Sequence, residues 1–590
     1  MKNLIKILKT FYKFFFNKKG WTIVFVLIIV IAPIIDSLTP YFYKQFVDKI
    51  PTHDYDLLLK ILLFYIGIRF MALLFSTSRF LVGDILGVDA VANTIATVFA
   101  HIHNLDFAFH SSKSSGSLIS AIKRGEGAFW NLYFSIHYRI VDVSVRFFVL
   151  LYFFKNLNSF IFIMTIVTFV LAILIMLVFV KMNVERKRKV NELEDDISSV
   201  IVDNMINFET VKLFVKELWE QRRLSVIQVD WRKAVWKYVY TFRGLDVSMG
   251  TVINISIFSI LLYSLNMTIR GMFTLGDFVL IAVFLQSFFP YLFELVWGFR
   301  DIAKSYSDIE KFFGILDYGV EIKDPENPVE LEKIRGEIKY NNVTFTYSES
   351  KKEAVEKINL NIRQGQSIAL VGRSGSGKTT LIKLLMRFYD VDQGMITVDG
   401  VDVRKFTKNH LRSFMGVVPQ EPVLFNNTIE YNIGYGKEKV TKEEIVAAAK
   451  IANLHDFVLG MPKKYKTHVG ERGIKLSGGQ KQRLAIARMI LSEPDIIIFD
   501  EATSQLDSEN EKLIQDALWK VTKNKTTIII AHRLSTAMRA DKIVVMDKGK
   551  IVESGSHSVL LARDKSLYKH FWNLQINAAQ PIDIGATIKA

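Results

Sequence analysis

One glycine-rich stretch constrains the fold of this chain more than any other: Gly372-Arg373-Ser374-Gly375-Ser376-Gly377-Lys378-Thr379. It follows the apolar run Ser367–Val371, which predicts a short buried strand, and precedes a segment from Thr380 that predicts a helix. Strand, glycine-rich loop and helix in this order form a P-loop, whose backbone N–H groups and helix dipole hold phosphate oxygens. We therefore expect residues 372–380 to bind a nucleotide, with Lys378 on the β- and γ-phosphates and Thr379 on Mg²⁺.

Length and composition indicate two parts, one of them in a membrane. A chain of 590 residues is too long for one compact domain. Half of the residues are hydrophobic and the mean hydropathy is +0.22, which is high for a soluble protein. The formal charge of +16 fits either nucleic acid binding or the positive cytoplasmic face of a membrane protein. Because there is no cysteine, disulfides, thiolate metal sites and a cysteine nucleophile are excluded.

The apolar residues of the first half group into candidate membrane spans. A helix needs about 20 apolar residues to cross a bilayer. Six segments qualify, at roughly residues 21–47, 58–86, 133–154, 158–181, 249–269 and 276–300. Residues 1–20 carry six lysines among aromatic and aliphatic side chains, which predicts a basic amphipathic helix on the inner membrane surface.

The distribution of basic residues predicts the orientation. The proposed inner segments hold 22 Lys and Arg, against three in the proposed outer loops. The positive-inside rule then places both chain ends in the cytoplasm, and it accounts for much of the net charge without nucleic acid.

The segments between spans two and three, and between spans four and five, are long, charged and helical in pattern. They predict membrane helices that continue into the cytoplasm and turn near residues 109–117 and 206–210, with a short helix at each turn. Two ordinary cytoplasmic loops are the alternative.

Several charged residues fall within the predicted spans, where charge is costly. They are Asp36, Arg69, Asp142 and Arg146, with Arg300 at the end of the sixth span. One hypothesis is a substrate cavity for an anionic solute or headgroup, lined by Arg69, Arg146, Asn254, Gln286 and Arg300. The other hypothesis is that the arginines pair with the aspartates and hold helices together, and the sequence leaves both open.

The second half alternates strands and helices. A proline-containing stretch in residues 321–335 predicts a linker, and the pattern changes from about Gly336. Asp399-Gly400 predicts a hairpin turn. The apolar run Ile496–Asp500 predicts a central parallel strand, which ends at Asp500 and is followed by Glu501. Asp500 suits a Mg²⁺ ion held through water, and Glu501 suits a base that polarises the attacking water.

A second phosphate-binding helix start follows from Leu476-Ser477-Gly478-Gly479-Gln480. One nucleotide has one γ-phosphate, which the P-loop already holds. A second such helix in the same domain makes sense if Ser477, Gly478, Gly479 and Gln480 serve a nucleotide on a partner. The sequence therefore predicts a dimer with two ATP molecules between its subunits.

Together these motifs resemble the ATP-binding cassette transporters, specifically an exporter-type half-transporter with six spans and one cassette. By that resemblance Tyr347 would stack on adenine, and Gln420 would contact Mg²⁺ and the attacking water. Asp507 would belong to the loop that crosses the dimer interface, and His532 would contact the γ-phosphate. Gln505 stands where the family has alanine, which leaves the acidic position intact.

The resemblance implies an α-helical polytopic membrane domain with long cytoplasmic extensions, joined to an α/β P-loop ATPase domain. We expect the amphipathic helix over residues 1–20, the membrane domain over 21–320, the linker over 321–335, the nucleotide-binding domain over 336–575 and a tail over 576–590. The cofactors would be ATP and Mg²⁺.

The implied function is ATP-driven export or flipping by alternating access in a cell (inner) membrane, in a homodimer or with another half-transporter. Glu501 and His532 argue against an ATP-gated channel or regulatory subunit, and the spans argue against a soluble cassette ATPase. Residues 207–214 and 298–301 resemble the Atm1-type exporters of glutathione compounds and heavy-metal conjugates. Lipids and amphipathic drugs stay open as substrates.

Overall fold

The computed structural model describes residues 2–113, 115–348, 350, 352–500, 508–531 and 533–579. The chain divides into two compact units. The first unit, here the membrane unit, comprises Met1–Leu105 and Lys113–Gly319. The second, the ATPase unit, comprises Asp106–Ser112 and Val320–Ala590. The division falls between Gly319 and Val320, and it groups residues 106–112, expected in the membrane domain, with the ATPase unit.

Up to Gly319, all regular structure among the described residues is helical. In chain order it consists of α1 (Lys2–Phe15), α2 (Lys19–Ser37), α3 (Thr39–Lys49), a 3₁₀ turn (Ile50–Thr52), α4 (Tyr55–Asn104), α5 (Phe107–Ser112, in the ATPase unit), α6 (Ser115–Phe134), a π-helical segment (Ser135–Val141), α7 (Asp142–Leu157), α8 (Ser159–Ile206), α9 (Phe208–Leu213), α10 (Glu217–Ile269), α11 (Leu275–Gly314) and a 3₁₀ turn (Ile315–Asp317).

Five helical stretches among the described residues are long and apolar enough to cross a membrane: Lys19–Thr52, Tyr55–Asn104, Ser159–Ile206, Glu217–Ile269 and Leu275–Asp317. They contain five of the six predicted spans. The third predicted span, residues 133–154, is helical but is not among them. It contains Arg139, Asp142 and Arg146, and this charge lowers its hydropathy.

The long membrane helices extend beyond a bilayer, as predicted. α4 has 50 residues and is therefore about 75 Å long, more than twice the hydrocarbon thickness of about 30 Å. α8 and α10 have 48 and 53 residues. The short helices α5 and α9 lie at the two predicted turns. The prediction of extended helices with a short helix at each turn is confirmed.

The N-terminal helix packs on protein rather than presenting its aromatic side chains to lipid. Phe11 and Phe15 of α1 are almost fully buried. The ring centroid of Phe11 lies 4.6 Å from that of Phe129, and that of Phe15 lies 5.3 Å from that of Tyr133. The helix was predicted correctly, but these two phenylalanines belong to the core of the membrane unit.

The charged residues of the spans are paired. Arg146 contacts Asp36 and Asp142, each at 2.7 Å, and Arg69 lies 3.6 Å from Asp36. Arg79, which was not among the predicted residues, is buried and also forms an ion pair with Asp142. Pairing offsets part of the cost of placing charge in an apolar surrounding, so the structure favours the pairing hypothesis.

The ATPase unit contains two sheets. Its strands are β1 (Ile338–Thr346), β2 (Glu353–Ile362), β3 (Ser367–Val371), β4 (Gln393–Val398), β5 (Val401–Asp402), β6 (Met415–Val418), β7 (Ile496–Asp500), β8 (Thr526–Ile530), β9 (Lys542–Asp547) and β10 (Lys550–Gly555). One sheet is antiparallel with the order β2-β1-β4-β5, and the other has the order β10-β9-β3-β8-β7-β6. In the second sheet all pairs are parallel except β10 with β9.

The ATPase unit contains ten further helices among its described residues. They are α12 (Lys378–Leu385), α13 (Lys408–Ser413), α14 (Ile429–Gly434), α15 (Lys442–Ile451), α16 (His455–Leu459), α17 (Gly478–Leu491), α18 (Ser508–Val521), α19 (Leu534–Ala537), α20 (His557–Ala562) and α21 (Leu567–Ala579), with 3₁₀ turns at Val403–Lys405, Lys464–Lys466 and Glu471–Gly473. Successive strand residues point to opposite faces, so Ala369 and Val371 join one hydrophobic cluster and Ile368 and Leu370 another. Strands buried on both faces explain the continuous apolar runs of the sequence.

The predicted hairpin turn at Asp399-Gly400 is confirmed. It joins β4 to β5, and its two residues have φ values of 49° and 82°. Positive φ at both positions is the requirement of the type I′ turn that Asp-Gly favours.

Candidate functional site

The nucleotide-site residues gather at one edge of the six-stranded sheet. β3, β6, β7 and β8 are parallel, so their carboxyl ends lie at the same edge, where ligands of open α/β sheets bind. Gly372 follows β3, and Gln420 comes two residues after β6. Asp500 ends β7, and β8 ends at Ile530. The topology therefore brings together motifs that are more than one hundred residues apart in the chain.

Two P-loop positions require glycine. Gly377 has φ +99°, and a Cβ atom there would lie 2.8 Å from the carbonyl oxygen of Ala354. At Gly372 a Cβ atom would lie 2.2 Å from the carbonyl oxygen of Met546. A side chain at either position would force the backbone of β9 or β2 to move, so the loop keeps its shape only with glycine.

Lys378 is held inside the P-loop. Its side chain is buried, and Nζ donates hydrogen bonds to the carbonyl oxygens of Gly372 at 2.8 Å and Arg373 at 3.0 Å. Ser376 Oγ is also buried and has no hydrogen-bond partner within the described part of the chain. A buried ammonium and an unsatisfied hydroxyl in the same loop suit phosphate oxygens.

Asp500 and Thr379 supply oxygen atoms of the kind that Mg²⁺ prefers. Burial raises the pKa of Asp500, and the charges of Lys378 and Lys383 oppose this rise. Thr379 is exposed in the first turn of α12. A carboxylate disfavoured by burial gains from a bound cation, so these residues fit a Mg²⁺ ion.

Tyr347 lies next to the helix that follows the P-loop. Its hydroxyl meets Thr380 Oγ1 at 3.2 Å, and its ring packs edge-on against Tyr389 with centroids 5.2 Å apart. The tyrosine is half-buried, and burial raises its pKa, so it is a neutral phenol at physiological pH. An aromatic face beside the P-loop suits stacking on a base.

Ser477 begins α17, as predicted. Its Oγ accepts a hydrogen bond from Gln480 N at 3.4 Å, and Gln480 Oε1 accepts one from Ser477 N at 2.9 Å. This reciprocal capping box means that Gln480 caps its own helix. Ser477 and Gly478 are exposed and Gly479 is buried, so the first residues of this helix start are on the surface of the unit.

Gln482 is a residue that sequence reasoning missed. Its Nε2 donates to the carbonyl oxygens of Gln420 at 2.6 Å and Pro419 at 3.3 Å. These hydrogen bonds hold the backbone of Gln420 in place. The two glutamines are 62 residues apart, so no local pattern marks the contact.

Three predicted site residues, Glu501, Asp507 and His532, lie outside the described residues. Glu501 is the next residue after Asp500, and His532 is the second after the end of β8. Their roles stay predictions from the sequence.

Among the described residues of the membrane unit, the predicted arginines line two different cavities instead of one. One, of about 150 Å³, is lined by Arg69, Arg146, Asp36 and Tyr291 among others. Arg300 lines a different cavity of about 640 Å³. Asn254 and Gln286 are exposed and line neither cavity, so the structure does not bring the five predicted residues together. The position of a residue within a predicted span does not show which cavity its side chain faces.

Comparison with known proteins agrees with these two units. Residues 22–292 match the family model for the ABC transporter transmembrane region, and residues 355–504 match the family model described as ABC transporter. The chain is 34% identical to the ATM1-type heavy metal exporter of Novosphingobium aromaticivorans, over 91% of this chain and 89% of that protein. It is 37% identical to ATP-binding cassette sub-family B member 6 of Mus musculus over 81% of this chain, but spans only 57% of that longer relative.

A solved structure shares the fold. It is described as a bacterial Atm1-family ABC exporter with ATP bound. The two chains superpose with a TM-score of 0.84 at 32% identity, over 96% of this chain and 99% of that one. This multi-pass membrane protein therefore belongs to the ABC transporter family, as an exporter of the Atm1 type whose ATPase domain couples ATP hydrolysis to transport.

Proposed function

We propose that the chain acts as a homodimer that exports a small zwitterionic or anionic solute, of the glutathione or metal-conjugate kind. The supporting observation is the larger cavity of the membrane unit. Its volume of about 640 Å³ is in the range of small-molecule sites. Four helices, α6, α8, α10 and α11, contribute its lining.

The charges of this cavity define the substrate class. Six basic residues line it: Arg124, Lys187, Arg188, Arg300, Lys304 and Lys311. Four acidic residues accompany them: Glu192, Glu194, Asp195 and Asp308. Such a lining complements a solute that carries several carboxylates and an amino group. A lipid tail would bury these charges away from water, which is costly, and the excess of basic over acidic residues favours an anionic group over a cationic drug.

Arg300 is placed to hold a carboxylate. Its guanidinium lies over the ring of Trp297, 4.7 Å from the centroid, and 2.9 Å from Asp301. Lys187 is 3.4 Å from Glu194 in the same cavity. Guanidinium and carboxylate form two parallel hydrogen bonds, so Arg300 suits a substrate carboxyl group better than a lysine would.

The homodimer is supported by surfaces that a single copy leaves uncovered. At the α9 turn, Phe208, Leu213, Phe214 and Val215 are all exposed. On the ATPase unit, Phe425, Tyr431 and Tyr435 form an exposed aromatic group with ring centroids 4.6 to 6.3 Å apart. Contiguous exposed apolar side chains mark protein interaction sites. A second copy would also supply Ser477 to the nucleotide held by Lys378.

In the proposed cycle, ATP binding closes the two ATPase units on each other and hydrolysis separates them. Lys378 and the P-loop backbone would hold the phosphates, and Asp500 with Thr379 would hold Mg²⁺, which when bound would withdraw charge from the phosphates. Glu501 would take a proton from the attacking water. ATP acts because its affinity differs between the two states. The excess of Lys and Arg in the segments between spans supports a cytoplasmic location of both termini.

The substrate proposal is tested by ATPase stimulation in lipid nanodiscs. We expect glutathione disulfide to stimulate hydrolysis more than lipids or cationic drugs do. Arg300→Ala should raise the concentration for half-maximal stimulation about tenfold, since one charge-assisted pair contributes about 1.5 kcal/mol.

Arg270→Ala is the matched control, because Arg270 lies in a predicted outer loop and does not line the cavity. It should leave stimulation unchanged. Stimulation by lipids alone, or an Arg300→Ala variant with wild-type response, would contradict the assignment.

A further inference from the structure

The chain passes between its two units at three points. By the division of the structure these are the peptide bonds 105–106, 112–113 and 319–320. The first two bound the segment 106–112, which contains α5, and the third begins the linker. These are the covalent connections between the two units of one chain.

Asp106, at the first crossing, binds the chain just after the third. Its Oδ2 accepts a hydrogen bond from Glu321 N at 2.5 Å and lies 3.3 Å from Ile322 N. Its side chain is only 8% exposed, and its other oxygen lies 3.9 Å from Lys408 Nζ. Backbone N–H groups that bind one carboxylate form a strong, geometrically defined contact.

The linker segment is itself fixed to the ATPase unit by the same basic residue and by a buried arginine. Lys408 Nζ donates to Ile322 O at 2.6 Å, and Lys408 N donates to an Asp324 carboxylate oxygen at 2.8 Å. Arg387 is buried and donates to Lys323 O at 2.9 Å. The first residues of the linker are therefore held against the ATPase unit by hydrogen bonds.

The segment 106–112 is held on its other side by aromatic contacts. The Phe107 ring stacks on Phe388 with centroids 4.8 Å apart, and Lys383 Nζ lies 5.2 Å from the Phe107 centroid. The same Lys383 Nζ lies 5.9 Å from the centroid of Tyr347. The short helix thus contacts Lys383 of α12, the helix that carries the P-loop lysine, and Phe388, which lies just after that helix.

We propose that Asp106 is a positioning residue that fastens the first cytoplasmic turn and the inter-unit linker to one point of the ATPase unit. Both connections then move as one body when the nucleotide binds. Without this carboxylate each connection keeps its own contacts, but the linker slips relative to the turn. ATP binding survives, and the movement that it sends to the membrane unit is lost.

The test uses Asp106→Asn, which keeps the size of the side chain and removes its charge. Since the wild-type chain has no cysteine, a single cysteine at Ser287, which lines the smaller membrane cavity, reports movement through its rate of reaction with a water-soluble maleimide. In nanodiscs, ATP with vanadate should change this rate in the otherwise wild-type protein. In Asp106→Asn the change should fall at least fivefold, while the Kd for a fluorescent ATP analogue stays within twofold.

Asp399→Asn is the matched control. Asp399 also accepts hydrogen bonds from the backbone N–H groups of Arg335 and Glu337. Neither residue lies at one of the three connections between the units. The Asp399→Asn variant should retain the full change in labelling rate. The proposal is overturned if Asp106→Asn retains the full change, or if Asp399→Asn loses it equally.

A reversible disulfide distinguishes a loss of positioning from a general loss of structure. In the double variant Asp106→Cys/Glu321→Cys, a fluorescent amino acid at Ser287 replaces the cysteine label as the reporter of movement. Its ATP-dependent signal should be lost when the two cysteines are reduced. Oxidation to the disulfide should restore it, and dithiothreitol should abolish it again. A disulfide-linked protein that binds ATP but still gives no signal would show that holding the two segments together is not the function of Asp106.

Discussion

Tyr347 is the side chain that we predict to stack on adenine. Its position is set by a hydroxyl contact with Thr380 and by the edge of Tyr389, both on or near the helix after the P-loop. The first contact involves only the phenol oxygen, whereas stacking on adenine would involve only the ring. The two roles can therefore be separated by mutation.

Tyr347→Ala should weaken ATP binding about tenfold or more, because stacking of an aromatic ring on a base contributes about 1–3 kcal/mol. Tyr347→Phe keeps the ring and loses only the contact with Thr380, so its affinity should stay within about twofold. The Kd for a fluorescent ATP analogue measures both variants. Equal weakening in the two would show that the hydroxyl, and not the ring, is what matters.

Among the elements, α3 and α11 pack closely at a single glycine. Gly276, in the first turn of α11, donates its backbone N–H to Asp48 Oδ1 at 2.9 Å. Next to it, Asp277 forms an ion pair with Lys44 of α3. A Cβ atom at Gly276 would lie 2.6 Å from the carbonyl oxygen of Lys44, a backbone atom that cannot turn away. The two helices can come this close only because the position is glycine.

Gly276→Ala should destabilise the membrane unit by about 1–3 kcal/mol, the usual cost of inserting an atom into a packed contact. The variant should show a lower apparent midpoint in thermal unfolding of the purified protein in nanodiscs. Gly250→Ala is the matched control, since a Cβ atom there meets no atom within 4 Å and alanine favours a helix by up to about 1 kcal/mol. A Gly276→Ala midpoint equal to that of Gly250→Ala would rule out the steric argument.

For the whole molecule, the central question is whether one nucleotide is shared by two chains. Lys378 and Ser477 belong to the same ATPase unit, at the start of α12 and just before α17. Ser477 is exposed, and its helix start carries the partial positive charge that favours a phosphate. If each ATP lies between the Lys378 of one copy and the Ser477 of the other, the ATPase activity of a mixed dimer should depend on which copy carries each substitution.

Dimers that pair a Lys378→Ala chain with a Ser477→Arg chain should keep one intact site and hydrolyse ATP. Dimers that pair a Lys378→Ala/Ser477→Arg chain with a wild-type chain should have no intact site and no activity. Both dimers carry the same two substitutions, so each is the control for the other. Two affinity tags allow each mixed dimer to be purified, and phosphate release measures its rate. The reverse order of activities would show that each chain completes its own site.

The sequence by itself determined the features that depend on residues close together in the chain. The P-loop, the strand that ends at Asp500 and the helix start at Ser477 are each defined by a few adjacent residues. Amphipathic and apolar periodicities likewise predicted the long helices and the short helices at both cytoplasmic turns. These patterns are local because backbone hydrogen bonding and hydrophobic periodicity are local.

Only the tertiary structure decided which distant residues meet. Arg79 pairs with Asp142 across 63 positions, Gln482 supports Gln420 across 62, and Asp106 binds Glu321 across 215. The separation of the predicted cavity residues is of the same kind, since it depends on which faces of the helices point toward each other. A contact between distant segments depends on the packing of the whole unit, and no short stretch of sequence records it.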